Sequence, residues 1–344
     1  VEMMTNDFQQ IYVVVKNELI KSVRGKKFII SLLIVLIVFM LITGLQMMLG
    51  TWSEMDDNVG RWVDTYFELF PLVITLVVAL LSSIAIVSEF EERTALILFT
   101  RPIRRTSIFI GKIASCLVLE AFIILIYYLL ASIVGFIKLG SVPADIIVSY
   151  AISVMYVFAA SGIAFVISAF FKKGSVCTII SLLILLVVMP IISMMVASDG
   201  GENWYMIDQA ADTSYTCFPE YVDMYNETLE AIDEVIGSAA EILKGFTSDD
   251  INAAVIWLGE YVNSPEFYNL DTDTQRSLIY LSQYLNISTS DNIHEMVNAL
   301  GFITDSSLLS PMENPDTGRS ILVLIIWGII GYFIAWVKFV RREF

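Results

Sequence analysis

The chain has 344 residues, 57% of them hydrophobic and only 16% charged, with a mean hydropathy of +0.74; a domain surrounded by water could not present that much apolar surface, so this is a membrane protein. Its 20 Lys and Arg stand against 36 Asp and Glu, a net charge of −16, which argues against a nucleic-acid partner, whose phosphates need an excess of cations. One histidine, His294, and three well-separated cysteines, Cys116, Cys177 and Cys217, argue against a zinc site, a histidine triad or a disulfide framework.

Residues 5–27 place Phe8, Ile11, Tyr12, Val15, Leu19 and Val23 on one helical face, with Lys16, Lys21 and Arg24 available to anionic headgroups. This predicts a cytoplasmic amphipathic helix over 1–27 that lies along the inner membrane surface. Six apolar runs then follow, at 28–49, 69–87, 108–137, 146–171, 176–197 and 321–340. Each has the roughly 20 residues that an α-helix needs to cross about 30 Å of hydrocarbon. The first run is too long and too deep in the chain to read as a cleavable signal peptide, so it is expected to stay as an anchor. Pro71 falls in the first turn of the second run, where its missing N–H does least harm.

Fifteen of the 20 cations lie before the first run, between the second and third, between the fourth and fifth, after the sixth or, for Lys112 and Lys338, just inside the adjoining ends of the third and sixth runs. The positive-inside rule therefore predicts a multi-pass protein with both termini cytoplasmic. The segment 198–319 falls on the other side, with 22 acidic residues against 3 basic ones.

The cytoplasmic stretch after the second run reads Ser88-Glu-Phe-Glu-Glu-Arg-Thr-Ala-Leu-Ile-Leu-Phe-Thr-Arg-Pro-Ile-Arg-Arg-Thr-Ser-Ile-Phe-Ile-Gly-Lys112. It predicts a short helix opened by acids, with Phe90, Thr94, Ile97 and Leu98 on one side, stopped at Arg101-Pro102. A bare loop would not need an apolar-faced helix there; such an element suits docking on a soluble partner. Farther along, Glu120 stands about eight residues, or roughly 12 Å, beyond Lys112 inside the third run. An intramembrane acid is costly and faces a cavity or a partner. Two readings stay open for it: a place in a pathway or dimer seam, and a hydrogen bond to a neighbouring helix near the inner interface.

The 122 residues of 198–319 are too many for a simple loop. Val222, Tyr225, Leu229, Ile232, Ile236, Ala239 and Leu243 form one helical stripe that Gly245 is placed to end. Further helices are expected after Thr247 or Ser248, over 274–285 and over 291–300, giving a self-packed helical domain. Asn269, Asp271 and Asp273 imitate a calcium loop, but Thr274 and Tyr280 occupy the positions that require Gly and Glu. The sequons at Asn226 and Asn286 are near chance in a segment so rich in Asn, Ser and Thr.

The stretch after the second run resembles that of the type-two (ABC-2-type) permease subunits of ATP-binding-cassette exporters. In that family acids, a Thr, a leucine-rich turn, a Pro, an Arg and a Gly-Lys follow the second span. Here the matching positions are Glu89, Glu91, Glu92, Thr94, Leu96, Leu98, Pro102, Arg105, Gly111 and Lys112, with Arg93 where the family usually has Gly. Two further stretches agree: Ser161-Gly-Ile-Ala-Phe-Val-Ile-Ser-Ala-Phe-Phe-Lys-Lys-Gly-Ser175 and the closing Phe339-Val-Arg-Arg-Glu-Phe344.

The resemblance implies a permease subunit in the plasma membrane of a prokaryote. It also implies an ABC ATPase partner, and a second permease chain in a homodimer or paralogous heterodimer. ATP and magnesium would be bound by the ATPase; this chain, which lacks GxxxxGK[ST], would bind no cofactor and would not be an enzyme. Coupling would pass through Glu89, Phe90, Glu91, Glu92, Arg93, Thr94, Ile97, Leu98, Pro102 and Arg105.

The expected fold class is an all-α integral membrane protein. Its parts are a cytoplasmic amphipathic helix over 1–27, transmembrane helices one to five over 28–197 with a coupling segment at 88–107, an extracytoplasmic helical domain over 198–319, and the sixth transmembrane helix with a cytoplasmic tail over 320–344. The alternative is a membrane-anchored receptor or assembly protein that binds through the external helices. That reading makes six spans excessive and leaves the cytoplasmic helix unexplained. An intramembrane enzyme finds no HExxH, no paired intramembrane aspartates and no Ser/His pair.

Overall fold

A computed structural model describes residues 7–91, 104–198, 202–244, 260–265, 267–269, 275, 312 and 315–341, without the side chains of 90, 232–244 and 269. The described residues are all-helical, with no strand and six helices or helix runs long and apolar enough to cross a membrane. These are Lys26–Leu49, Val59–Glu89, Arg105–Leu139, Ile146–Phe170, Gly174–Ala197 and Thr317–Arg341.

Helix α1 (Asp7–Val23) precedes α2 (Lys26–Leu49), the first span, which ends at Gly50 in the left-handed region with φ 77°. A residue with a Cβ resists that conformation, so glycine there stops the helix and turns the chain. The second span is a composite of α3 (Val59–Phe67), α4 (Phe70–Leu81), a 3₁₀ turn at Ser82–Ile84 and α5 (Val87–Glu91). It begins ten residues before the apolar run at 69–87, because Arg61, Asp64 and Glu68 interrupt the hydropathy without interrupting the helical course. Arg61 is neutralised there by Glu54 at 2.8 Å and Asp64 at 3.2 Å.

The third and fourth spans are α6 (Arg105–Leu139) and α7 (Ile146–Phe170). The fifth runs through α8 (Gly174–Leu183), a π turn at Ile184–Val188 and α9 (Met189–Ser198). Pro190 offers no N–H to the carbonyl four residues back, and the π turn precedes it. Next come α10 (Ile207–Thr216), α11 (Pro219–Lys244) and α12 (Thr317–Arg341), the last being the sixth span.

The chain divides into two compact units, 1–224 with 313–344, and 225–312. Helix α10, which the sequence reading did not predict and which lies within 198–319, packs on α7 and α12 in the first unit. In the second unit the Asn226 side chain pairs both ways with the Met312 backbone, accepting at 2.8 Å and donating at 3.0 Å. The helix expected after Thr247 or Ser248 and those over 274–285 and 291–300 lie outside the described residues, apart from Gln275.

Two contacts organise the first unit. At the end away from α1, Trp62, Phe67, Phe70 and Tyr127 form an aromatic core, with Phe70 stacked on Tyr127 at 4.4 Å. Trp62 Nε1 donates to the Ala131 carbonyl at 3.2 Å. Along the fourth and sixth spans, Gly162, Gly328 and Gly331 bring the backbones together. A Cβ on Gly331 would lie 2.6 Å from the Gly162 carbonyl carbon. Small residues at such a seam let dispersion and hydrogen bonds replace the hydrophobic drive that lipid cannot supply; Ser161 and Tyr332 share a hydrogen bond there.

Candidate functional site

A buried core next to the two ends of the segment 88–107 joins Val14 of α1, Ile86, Ile108 and Phe109 of α6, Phe165 of α7 and Phe339 of α12. On this core the two ends of the segment are fixed by polar contacts. At the first end, Ser168 Oγ of α7 accepts the backbone N–H groups of Ile86 at 3.0 Å and Val87 at 3.1 Å. Those are orphan donors at the start of α5, so a residue far along the chain acts as their cap.

One residue into the segment, the Glu89 side chain is buried and meets two lysines. Lys112 Nζ of α6 and Lys21 Nζ of α1 each donate to Glu89 Oε1 at 3.0 Å. Lys112 also donates to Glu18 Oε1 of α1 at 2.9 Å. Two acids and two bases thus neutralise one another. Burial disfavours the Lys21 ammonium, but the Glu89 hydrogen bond and charge outweigh it and hold its pKa above the ordinary value. The approach of α1 depends on Gly111: a Cβ there would lie 2.5 Å from Val14 Cγ1. The Gly-Lys pair therefore has two tasks, space for α1 and a charge for its acid.

Glu91 reaches toward the fifth span, its Oε2 accepting the Gly174 N–H at 3.2 Å. A Cβ on Gly174 would come within 3.0 Å of that oxygen. At the far end, Arg104 pairs with Asp7 at 2.8 Å and its N–H donates to Gln10 Oε1 at 3.3 Å. Arg105 donates to the Val340 carbonyl at 3.0 Å. Five helices, α1, α6, α7, α8 and α12, are thereby tied to the two ends of one short segment.

A family model described as ABC-2 family transporter protein matches residues 14–204, more than half of the chain. The chain belongs to the ABC-2 transporter family. It is a multi-pass membrane protein and a transmembrane transport subunit, and the permeases of this family generally work with an ABC ATPase. No curated protein matches the chain.

Within this ABC-2 permease, the residues marked by the sequence fall into three groups. Glu89, Glu91 and Arg105 converge on the buried core as described. Phe90 lies in α5, and Glu92, Arg93, Thr94, Ile97, Leu98 and Pro102 lie outside the described residues. Glu120 is fully buried in the third span and accepts a hydrogen bond from Ser82 Oγ at 2.7 Å, while its Oε2 has no partner among the described residues. The hydrogen bond to a neighbouring helix, one of its two expected states, is present. Sequence reasoning missed the roles of Glu18, Ser168 and Gly174. Their only local signals were an acid among the α1 lysines and a Ser and a Gly inside the quoted fourth-span motif.

None of the six residues of the expected apolar face of α1 is fully buried, Phe8 and Tyr12 being 80% and 68% exposed, and the helix turns Gln10 and Val14, which that face did not include, to the protein. Lys21, expected to be available to headgroups, is tied to Glu89 while half of its side chain stays exposed.

Proposed function

We propose that this chain is the permease subunit of an ATP-driven exporter, in which the segment 88–107 carries the closure of a separate ABC ATPase to the spans. The observation that carries this is the anchoring of both ends of that segment to five helices. A segment held at both ends can pass a push to the helices that hold it as rigid-body motion, which a segment untethered at its ends would dissipate. In this reading Phe90, Glu92, Arg93, Thr94, Ile97, Leu98 and Pro102 form or shape the docking face. Glu89, Glu91 and Arg105 are positioning residues that fix it to the spans.

Both termini are then cytoplasmic in a prokaryotic plasma membrane, α1 lies in the inner interface with Phe8 and Tyr12 toward lipid, and 198–319 is extracytoplasmic. ATP and magnesium belong to the ATPase. The first and fifth spans bury only 22% and 17% of their apolar stretches within the chain, against 67% for the second and fourth. That uneven covering suits a second permease chain, identical or paralogous, with lipid over the rest. Glu120, with one unpaired oxygen at the Ser82 break, is a candidate for that pathway or seam.

The test uses the purified complex with its ATPase. Phe90→Asp and Leu98→Asp should abolish substrate-stimulated ATP hydrolysis or lose the partner while the spans still fold, because a docked apolar contact becomes a desolvated charge. Full stimulation in both variants would remove the segment from the coupling path.

A further inference from the structure

A cavity of about 340 Å³ opens between α1, the start of α2, the end of the second span and the start of α6. It contains four cations, Lys21, Lys26, Lys27 and Lys112, and four large apolar side chains, Phe28, Leu81, Ile84 and Leu119. The charges do not cancel. Lys21 and Lys112 are matched by Glu89 and Glu18, whereas Lys26 and Lys27 are exposed and make no ion pair among the described residues. The surplus of two positive charges is therefore localised on these two residues. They are also the first residues of α2, whose leading N–H groups receive no side-chain cap from Gly25. The positive end of a 24-residue helix adds to the field at that point.

We propose that this cavity holds the phosphate headgroup of an anionic membrane lipid, with Lys26, Lys27 and the α2 N-terminus on the phosphate and the first acyl methylenes against Phe28, Leu81, Ile84 and Leu119. A free phosphate would use the cations but leave the apolar side chains wet. A zwitterionic lipid would cover the apolar side chains but bring its own cation to the lysines. An anionic lipid matches both kinds of lining, and a cavity at the low end of ligand-sized volumes suits a headgroup and chain tops, not a whole lipid. Occupancy would brace α1 against the Lys112 network, at the root of the segment 88–107. The proposal rests on the membrane placement above but not on export, and its test contains no ATPase, so its failure leaves the export reading standing.

The experiment measures thermal unfolding of the purified full chain in a non-ionic detergent at fixed ionic strength. It is titrated separately with dioctanoyl phosphatidylglycerol, dioctanoyl phosphatidylcholine and inorganic phosphate. Phosphatidylglycerol should raise the midpoint saturably, and the other two should not at equal concentration. Lys26→Gln with Lys27→Gln should weaken the apparent affinity about 10- to 30-fold, from about 1 kcal/mol for each basic residue at a lipid surface. Both side chains are exposed, so the fold does not depend on them. Lys172→Gln with Lys173→Gln removes the same charge from an exposed site outside the cavity and should leave affinity unchanged. Equal stabilisation by phosphatidylcholine or by phosphate would overturn the proposal. So would equal weakening by the two double variants, or full affinity without Lys26 and Lys27.

Discussion

Lys112 and Glu89 meet at 3.0 Å across 23 residues of sequence, with only 3% and 9% of their side chains exposed. Removing the lysine leaves Glu18 and Glu89 buried without a full counter-charge, which costs about 3–5 kcal/mol for a broken buried pair. Lys112→Met should therefore lower the thermal midpoint sharply. Combining it with Glu89→Gln should cost less than the two single effects together, because the second change removes the stranded charge. Strict additivity in that cycle would show that the two side chains are not energetically coupled.

The seam between the fourth and sixth spans makes a sharper steric prediction. Gly331→Ala places a methyl 2.6 Å from backbone that has no flexible end to move, and overpacking of this kind costs about 1–3 kcal/mol. Gly44→Ala is the control, since nothing lies within 4 Å of its added Cβ, and a helical Gly replaced by Ala gains about 0.5–1 kcal/mol. Opposite shifts of the thermal midpoint are expected. Equal shifts would mean that the two backbones do not approach as described.

The apolar runs were legible because lipid imposes a length and a composition on any span; 28–49 and 146–171 differ from Lys26–Leu49 and Ile146–Phe170 by at most two residues at either end. The second span was read short because Arg61, Asp64 and Glu68 lower its hydropathy, although α3 buries Trp62 completely. Helix α10 was missed because between Ile207 and Tyr215 its buried residues, Ala210, Ala211, Thr213 and Ser214, are small or polar and leave too short an apolar stripe to read. The site was half legible. Glu89, Arg105, Gly111 and Lys112 stood out by resemblance, but Glu18 and Lys112 are 94 residues apart. No local pattern encodes a pair made by tertiary packing.

Ser168 offers a test of how the segment is held. Ser168→Ala strands two buried backbone donors at Ile86 and Val87, at about 1–3 kcal/mol for an unsatisfied group. The spans should remain folded, while the amides of 87–91 exchange faster by roughly one to two orders of magnitude. Under the export proposal, stimulation by substrate should fall with ATPase binding retained. Unchanged exchange at 87–91 would show that α5 is held by other contacts.

The last prediction concerns pH and the helix that the sequence did not reveal. Burial pushes the Asp212 carboxyl up from 3.8 to about 7, with the nearby charges of Asp208 and Glu68 acting in the same direction and a hydrogen bond from Tyr215 opposing them. Burial raises Asp208 as well. Because the folded state holds the proton more tightly than the unfolded one, the stabilising contribution is complete below 3.8 and is lost as pH rises through about 7. Across that window each pH unit removes about 1.4 kcal/mol for a fully linked group. The loss should stop above about pH 8. Asp212→Asn keeps the size of the side chain and cannot ionise, so it should raise the thermal midpoint at pH 8, leave it nearly unchanged at pH 4 and flatten the fall between them. The fall that remains would belong to Asp208 and the other carboxyls around α10. A variant that tracks the native protein at every pH would mean that Asp212 is ionised in the folded state at no cost.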